Sequence, residues 1–254
     1  MGQDRLTDRD PSLAERPRLE LAKYPRVEIA FNTALLKRGL DVVISGAGLA
    51  VLLPFLALVA VLIKLDSPGP VFYNQIRIGQ ERRWRMRRRE ALDVRVDLRK
   101  GERRNIMSAG RLFRIHKFRT MVRNAEDLTG PTWASPHDPR VTRVGGVLRA
   151  LRVDELPQLW NVFKGEMSLV GPRPERPHFV KKFADKIPEY TARLRVRPGI
   201  TGLAQVSTLD ELTEAEIHKK LDLDLHYLRD LRLESDLRIL LKTLVVLARK
   251  VFRS

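Results

Sequence analysis

The hydrophobic pattern of this chain begins with one long uninterrupted block. From Val42 to Ile63, 22 residues carry no charge and are almost wholly apolar. A helix of that length spans roughly 33 Å at about 1.5 Å per residue, enough to cross the roughly 30 Å hydrocarbon core of a bilayer. Pro54, near its middle, lacks an amide proton and pushes on the carbonyl of Ala50, and each arm is too short to cross alone. Two readings stay open: a spanning helix, since prolines are tolerated there, and a helix-break-helix that dips in and returns. Lys37 and Arg38 precede the block and Lys64, Arg77, Arg82 and Arg83 follow it. Basic flanks prefer the cytoplasmic side, so both ends would share one face. The block starts too late, and its apolar run is too long, for an ordinary cleaved signal peptide.

Beyond it the pattern shortens. Asp66-Ser67-Pro68-Gly69-Pro70 cannot continue a helix, and Val71-Phe72-Tyr73 is a short strand candidate. Leu112 to Met121 alternates apolar and basic residues as a half-buried strand does, with Leu112, Arg114 and His116 on one face and Phe113, Ile115 and Phe118 nearer the other. Leu128 to Pro139 reads as a loop, Val144 to Arg152 as a helix, and Asp154 to Phe163 as the start of another. Pro172, Pro174 and Pro177, then Pro198, Gly199 and Gly202, punctuate two loops, and Glu214 onward is helical. Within it, Leu240, Leu241, Leu244, Val245, Leu247 and Val251 oppose Arg238, Lys242, Arg249 and Lys250. Such a helix packs on the domain core by default, and the alternative is to lie in the membrane interface. The expected organisation is a polar tail over residues 1–30, a membrane-inserted helix over 31–65 broken at Pro54, and a catalytic domain over 66–254. The expected fold class is helix-rich mixed α/β with a small sheet near the interface.

Composition narrows the partners. The 254 residues include no cysteine, which excludes disulfides, thiolate zinc sites and cysteine nucleophiles. A formal net charge of +17 points to anionic partners: nucleic acid, anionic lipid or phosphorylated substrate. Arg77 to Arg104 holds twelve Lys or Arg against five Asp or Glu, so this segment alone contributes +7. Charge blocks of this kind are often solvated and disordered. Beside a membrane segment, each basic residue near an anionic leaflet also gains about 1 kcal/mol, so anionic lipid is the favoured partner. No zinc-finger spacing or aromatic RNA-binding signature accompanies the arginines, so no nucleic-acid partner is expected.

Four short segments carry the chemistry. In the first, Asp154 and Glu155 follow Arg149 and Arg152 at a helix start. Acidic residues there usually cap the helix and complement its dipole. The same geometry lets Asp154 attack a phosphorus atom while Glu155 binds a metal. The second, Ser168 to Pro174, presents Arg173 on a loop made tight by Gly171 and rigid by two prolines. The third, Arg195 to Gly202, repeats the device with Arg197 beside Pro198 and Gly199, and the fourth is Lys117-Phe118-Arg119-Thr120-Met121. Together they offer one acidic pair among fixed cations, as phosphoryl transfer requires.

From about Lys37 onward the chain resembles the bacterial sugar transferase family of monotopic polyprenol-phosphate phosphoglycosyl transferases, of the type that initiates exopolysaccharide or O-antigen synthesis. The strings that carry the resemblance, in order, are KRGLDVV, SPGPVFYNQIRIG, FRIHKFRTM, VDELPQLWNVFKGEMSLVGPRPERP and RPGITGLAQV. The resemblance implies transfer of a sugar 1-phosphate from a nucleotide diphosphate sugar, usually a UDP-sugar, to undecaprenyl phosphate at the cytoplasmic face of a bacterial inner membrane. It assigns Asp154 as nucleophile through a covalent phosphosugar intermediate, and Glu155, with Asp154 beside it, to Mg2+. Lys117, Arg119, Arg149, Arg173 and Arg197 become candidate substrate-binding residues. The re-entrant form of the membrane helix and a functional Asp154 become the favoured readings. A catalytically silent membrane-surface scaffold is the alternative, and a homo-oligomer is left open. The chain departs from the family pattern at Leu53, where a serine usually precedes the proline, at Leu203 for tryptophan and at Glu166 for aspartate. A basic insert over about 87–110 is a further departure.

Overall fold

A computed structural model describes residues 31–80, 110–125, 138–207 and 214–251. The polar tail expected over 1–30, and the basic insert apart from Gly110, lie outside the described residues. Helix α1 (Phe31–Asp66) is followed by strands β1 (Phe72–Ile78) and β2 (Leu112–Phe118), helix α2 (Arg143–Ala150) and a single 3-10 turn (Val153–Glu155). Then come α3 (Gln158–Lys164), β3 (Ser168–Val170), α4 (Pro177–Lys186), an irregular 3-10 stretch (Pro188–Arg195), β4 (Gly199–Thr201), α5 (Leu203–Val206), α6 (Glu214–Arg229) and α7 (Leu233–Val251). The fold is helix-rich mixed α/β, as its pattern predicts.

There are two small sheets among the described residues. β1 and β2 pair antiparallel, with Phe72 opposite Phe118 and Ile78 opposite Leu112. β3 and β4 pair in parallel, Ser168 beside Gly199 and Val170 beside Thr201. Sequence pattern reads β3 and β4 as loops because each is only three residues long and bounded by glycine and proline. What joins them is proximity: a methyl group added at Gly171 or at Gly199 would overlap backbone atoms of the other segment.

The β2 alternation holds with one change. Phe113 and Ile115 are buried against Val162 and Met167. Phe118 is also buried, but by the pleat it falls on the opposite side, where it packs with Val59, Ile63 and Leu148 and stacks on Phe72. Lys117 therefore shares its side with Phe113 and Ile115. Fully buried Asn161 of α3 staples the back of this strand: its side-chain oxygen accepts from the His116 amide at 3.0 Å, and its Nδ2 donates to the Arg114 carbonyl and to Glu166 at 2.7 Å each.

α1 keeps a helical backbone through Pro54, so the expected break is not an interruption of the helix. Proline within a helix removes one hydrogen bond and bends the axis without ending it. Both ends of α1 are fixed to the same domain. Near its start, Lys37 donates to the Val170 carbonyl and the Tyr227 hydroxyl and pairs with Asp236 of α7. Arg38 donates to the Val162 and Phe163 carbonyls of α3, and Asp41 accepts from Ser168 Oγ and the Leu169 amide. Near its end, Val59 and Ile63 enter the Phe118–Leu148 cluster, and Asp66 accepts from the Val144 amide at the start of α2. Between these anchors Val51, Leu53, Phe55 and Leu58 are exposed.

The C-terminal helical region divides at Asp230-Leu231-Arg232, where Asp230 accepts from Ser235 and pairs with Arg232. α7 packs on the domain through Ile239, with Tyr227, Leu228 and Val196. It also leaves Leu237, Leu241 and Leu244 exposed at the spacing of one helical face. Trp160 and Phe163 of α3, stacked on each other, are exposed too.

Candidate active site

Asp154 and Glu155 are both buried, at 8% and 7% exposure, in the 3-10 turn between α2 and α3. The turn is introduced by Arg152, whose φ of 57° and ψ of 19° are left-handed. A residue with a Cβ adopts that conformation at a cost, and such costs concentrate where a side chain must be aimed. The capping role that an acidic residue at a helix start suggests does not hold for Asp154. The residue preceding α3 is Pro157, with no side-chain capping bond, and Asp154 Oδ1 is buried with no hydrogen-bond partner.

The two carboxylates have opposite environments. Glu155 Oε1 accepts from Lys117 Nζ at 2.8 Å and from Arg173 Nη2 at 2.7 Å, with Arg152 Nη1 at 3.6 Å. Burial alone would push the Glu155 carboxyl up, but Arg173 and Lys117 outweigh it and hold the group well below the usual carboxylate range. Asp154 is pushed up instead, first by burial and then by the neighbouring Glu155 charge. Burial lowers Lys117, partly offset by Glu155. One carboxylate is thus a fixed anion clamped by cations, and the other a desolvated carboxylate with a free oxygen.

Other expected residues fall in different places. Arg149 donates from Nε to Thr120 Oγ1 at 2.8 Å, which ties α2 to the end of β2. The Arg119 guanidinium is buried elsewhere: it donates to the Pro68 and Ser67 carbonyls and, at 3.4 Å, to that of Ile63. Arg119 therefore ties down the turn that follows α1, and the structure does not bring it to the acidic pair. The division follows from where β2 stops: the strand ends at Phe118, and Arg119, just beyond it, turns to the segment after α1, its amide donating to the Val71 carbonyl at 2.9 Å. Arg197 is half-buried before β4, with its backbone carbonyl against Gly171 of the loop that carries Arg173. Arg152 is the site residue that pattern reading passes over, since nothing in a one-letter string marks its positive φ.

Among the described residues no group of three or more His, Cys, Asp or Glu could hold a metal ion. Two adjacent carboxylates, one with an unpartnered oxygen, still fit Mg2+, which takes one or two protein carboxylates and completes its shell with water and substrate phosphate.

A profile of the family described as bacterial sugar transferase matches residues 32–92 and 98–250. The chain is 41% identical over 211 residues to the UDP-N-acetylgalactosamine-undecaprenyl-phosphate N-acetylgalactosaminephosphotransferase of Aeromonas hydrophila, a match over 83% of this chain and 43% of that protein. It is 40% identical over 221 residues to the UDP-glucose:undecaprenyl-phosphate glucose-1-phosphate transferase of Caulobacter vibrioides, over 86% and 70% of the two chains. With the exopolysaccharide production protein PSS of Rhizobium leguminosarum it shares 36% over 219 residues, 83% of this chain and 94% of that one. The chain thus spans less than half of the Aeromonas relative and nearly all of the Rhizobium one.

Proposed function

The chain belongs to the bacterial sugar transferase family, and from that premise we propose that it transfers a sugar 1-phosphate from a nucleotide diphosphate sugar to undecaprenyl phosphate at a membrane surface. The observation that carries the reading is the unpartnered, buried Asp154 oxygen beside a Glu155 already neutralised by Lys117 and Arg173. Relatives named for undecaprenyl-phosphate sugar phosphotransfer support the class of donor and acceptor.

In this reading Asp154 attacks the sugar-bearing phosphorus of the donor. A carboxylate O–P bond forms, the bridging P–O bond breaks, and the electron pair leaves with the nucleoside monophosphate. A phosphate oxygen of the polyprenol then attacks the same phosphorus, the Asp154–phosphorus bond breaks, and the carboxylate is restored. Arg173 and Lys117 face the place where phosphoryl charge gathers, and Arg152 lies at its more exposed edge. Mg2+ held by Glu155 and Asp154 would neutralise the donor diphosphate. The buried setting of Asp154 strips water from the nucleophile and leaves it reactive.

The membrane reading rests on α1. By length and composition this helix could cross a bilayer. Its two ends are fixed to one domain while its apolar middle is exposed, which supports a helix that enters one leaflet and returns. The outward faces of α7 and of Trp160 and Phe163 would lie in the same interface, and the chain's excess of basic residues would meet anionic lipid there. That surface is the cytoplasmic one, where the sugar nucleotide is made.

The test is release of uridine monophosphate by the purified protein in detergent, with Mg2+ and undecaprenyl phosphate, across a panel of UDP-sugars beside Asp154→Asn. Release with one sugar, lost in the variant, supports donor, class and nucleophile together. Failure with every UDP-sugar by folded protein moves the donor to another nucleotide, and failure with those as well leaves the scaffold reading.

A further inference from the structure

Behind the loop that carries Arg173 lies a second charged cluster with no part in the chemistry above. Arg193, 2% exposed in the 3-10 stretch, is its hub. Nη2 donates to the backbone carbonyl of Arg173 at 3.0 Å and lies 2.6 Å from Asp224 Oδ2 of α6. Nη1 donates to the Tyr190 hydroxyl at 2.8 Å and lies 3.9 Å from Glu175 Oε1. Glu175 also receives Lys220 of α6 at 2.6 Å, and Arg77 of β1 stands 3.7 Å away. The same Arg77 nitrogen donates to the Pro174 carbonyl at 3.1 Å. Three consecutive loop residues are therefore each gripped by cations from different elements: Arg173 by Arg193, Pro174 by Arg77, and Glu175 chiefly by Lys220.

Burying so many charges is a poor route to stability, because replacing a buried ion pair by well-packed apolar groups is often neutral or stabilising by about 1–4 kcal/mol. What the cluster supplies is direction. Its cations converge on the backbone and carboxylate of residues 173–175, from which the Arg173 side chain reaches Glu155 at 2.7 Å. A long side chain amplifies any rotation of the peptide it leaves, and a misplacement of about 1 Å at a reacting centre can cost about 100-fold in rate.

We propose that Arg193 is a positioning residue for Arg173: by holding the Arg173 carbonyl from behind, it sets the path of the guanidinium toward Glu155 and the donor phosphates. The proposal rests on the phosphoglycosyl-transfer reading of the acidic pair.

Its test is a double-mutant cycle on full-length protein. Arg193→Lys keeps a charge facing Asp224 but cannot fork to Asp224, Tyr190 and the Arg173 carbonyl together. It is expected to remain folded and to lose about 10-fold or more in donor kcat/KM. Combined with Arg173→Lys it is expected to be no worse than Arg173→Lys alone, because Arg193 acts only through Arg173. Losses that multiply would overturn the proposal, as would unchanged kinetics in Arg193→Lys. Hydrogen exchange supplies the readout that needs no substrate: the amides of Gly171, Arg173, Glu175 and Arg176 should exchange faster in Arg193→Lys while the β1–β2 pair is unaffected. Unchanged loop exchange, or acceleration throughout the chain, counts against it. If Arg193→Lys does not fold, Asp224→Asn, which leaves Arg193 in place but frees it from α6, enters the same cycle under the same criteria. If the wild-type protein releases no nucleotide from any donor, the reaction reading falls, and the exchange result decides the role of Arg193 by itself.

Discussion

At Asp154 and Glu155, adjacent residues of the same charge are driven apart by what surrounds them. Asp154 binds its proton more readily folded than unfolded, so the native state is favoured at low pH and loses that advantage as pH rises through the raised value. At neutral pH the ionised, unpartnered carboxylate is a net cost. Asp154→Asn should therefore abolish transfer while raising stability by about 1 kcal/mol, seen as a melting midpoint about 2–4 °C higher. The acidic limb of the wild-type kcat/KM profile should lie above the ordinary aspartate range, since Asp154 must ionise to attack. Glu155 has the opposite sign: its contribution to stability is present above its unfolded value, near 4.5, and is lost as pH falls through the depressed folded one. Glu155→Gln leaves Lys117 and Arg173 facing each other without an anion, and should cost about 3–5 kcal/mol in urea unfolding at neutral pH. The residue types of this site were legible in sequence, because an acidic pair among arginines, prolines and glycines has few uses. The division of labour was not. Whether a carboxylate is paired or bare depends on side chains 38 positions away, such as Lys117, and Arg119 sits at the Ser67 and Pro68 carbonyls rather than at the acidic pair because β2 ends one residue before it.

Elements here are short around the acidic pair and long at the apolar N-terminal helix. The helices read from sequence, α1, α2, α6 and α7, emerge close to their expected places, α1 from its unbroken apolar run and α7 from an apolar face opposed to a basic one. β3 and β4 were invisible because three residues hold no period; only the mutual approach of Gly171 and Gly199 makes them strands. For α7 the sequence takes packing on the core as the default, and one face of the helix does pack there while another is left exposed for the proposed interface role. Ile239 faces inward while Leu237, Leu241 and Leu244 face out. Leu241→Glu with Leu244→Glu should leave the fold and its melting midpoint nearly unchanged, because neither side chain is buried. Binding to vesicles containing anionic lipid should weaken several-fold in flotation assays, since a charged residue at that depth is costly. Equal flotation of wild type and variant would remove α7 from the interface.

For the molecule as a whole, α1 is less an appendage than a strap buckled at both ends. Lys37, Arg38 and Asp41 close one buckle and Asp66, with the carbonyls held by Arg119, the other. Because the chain has no cysteine, single cysteines at Leu36 and Leu65 report without background. In inside-out vesicles an impermeant maleimide should label both positions, whereas a spanning helix would leave one protected until the membrane is opened. If the strap is re-entrant as proposed, it also frees the protein from the thickness of its bilayer. A crossing helix must match the hydrocarbon slab and tilts or deforms it when it does not, at fractions of a kcal/mol per Å. A loop of helix that turns back within one leaflet has no far side to match. The proposed transfer activity should then stay level across vesicles of short and long acyl chains, and the same protein would serve equally well wherever along a patchy cell envelope the proposed lipid acceptor gathers.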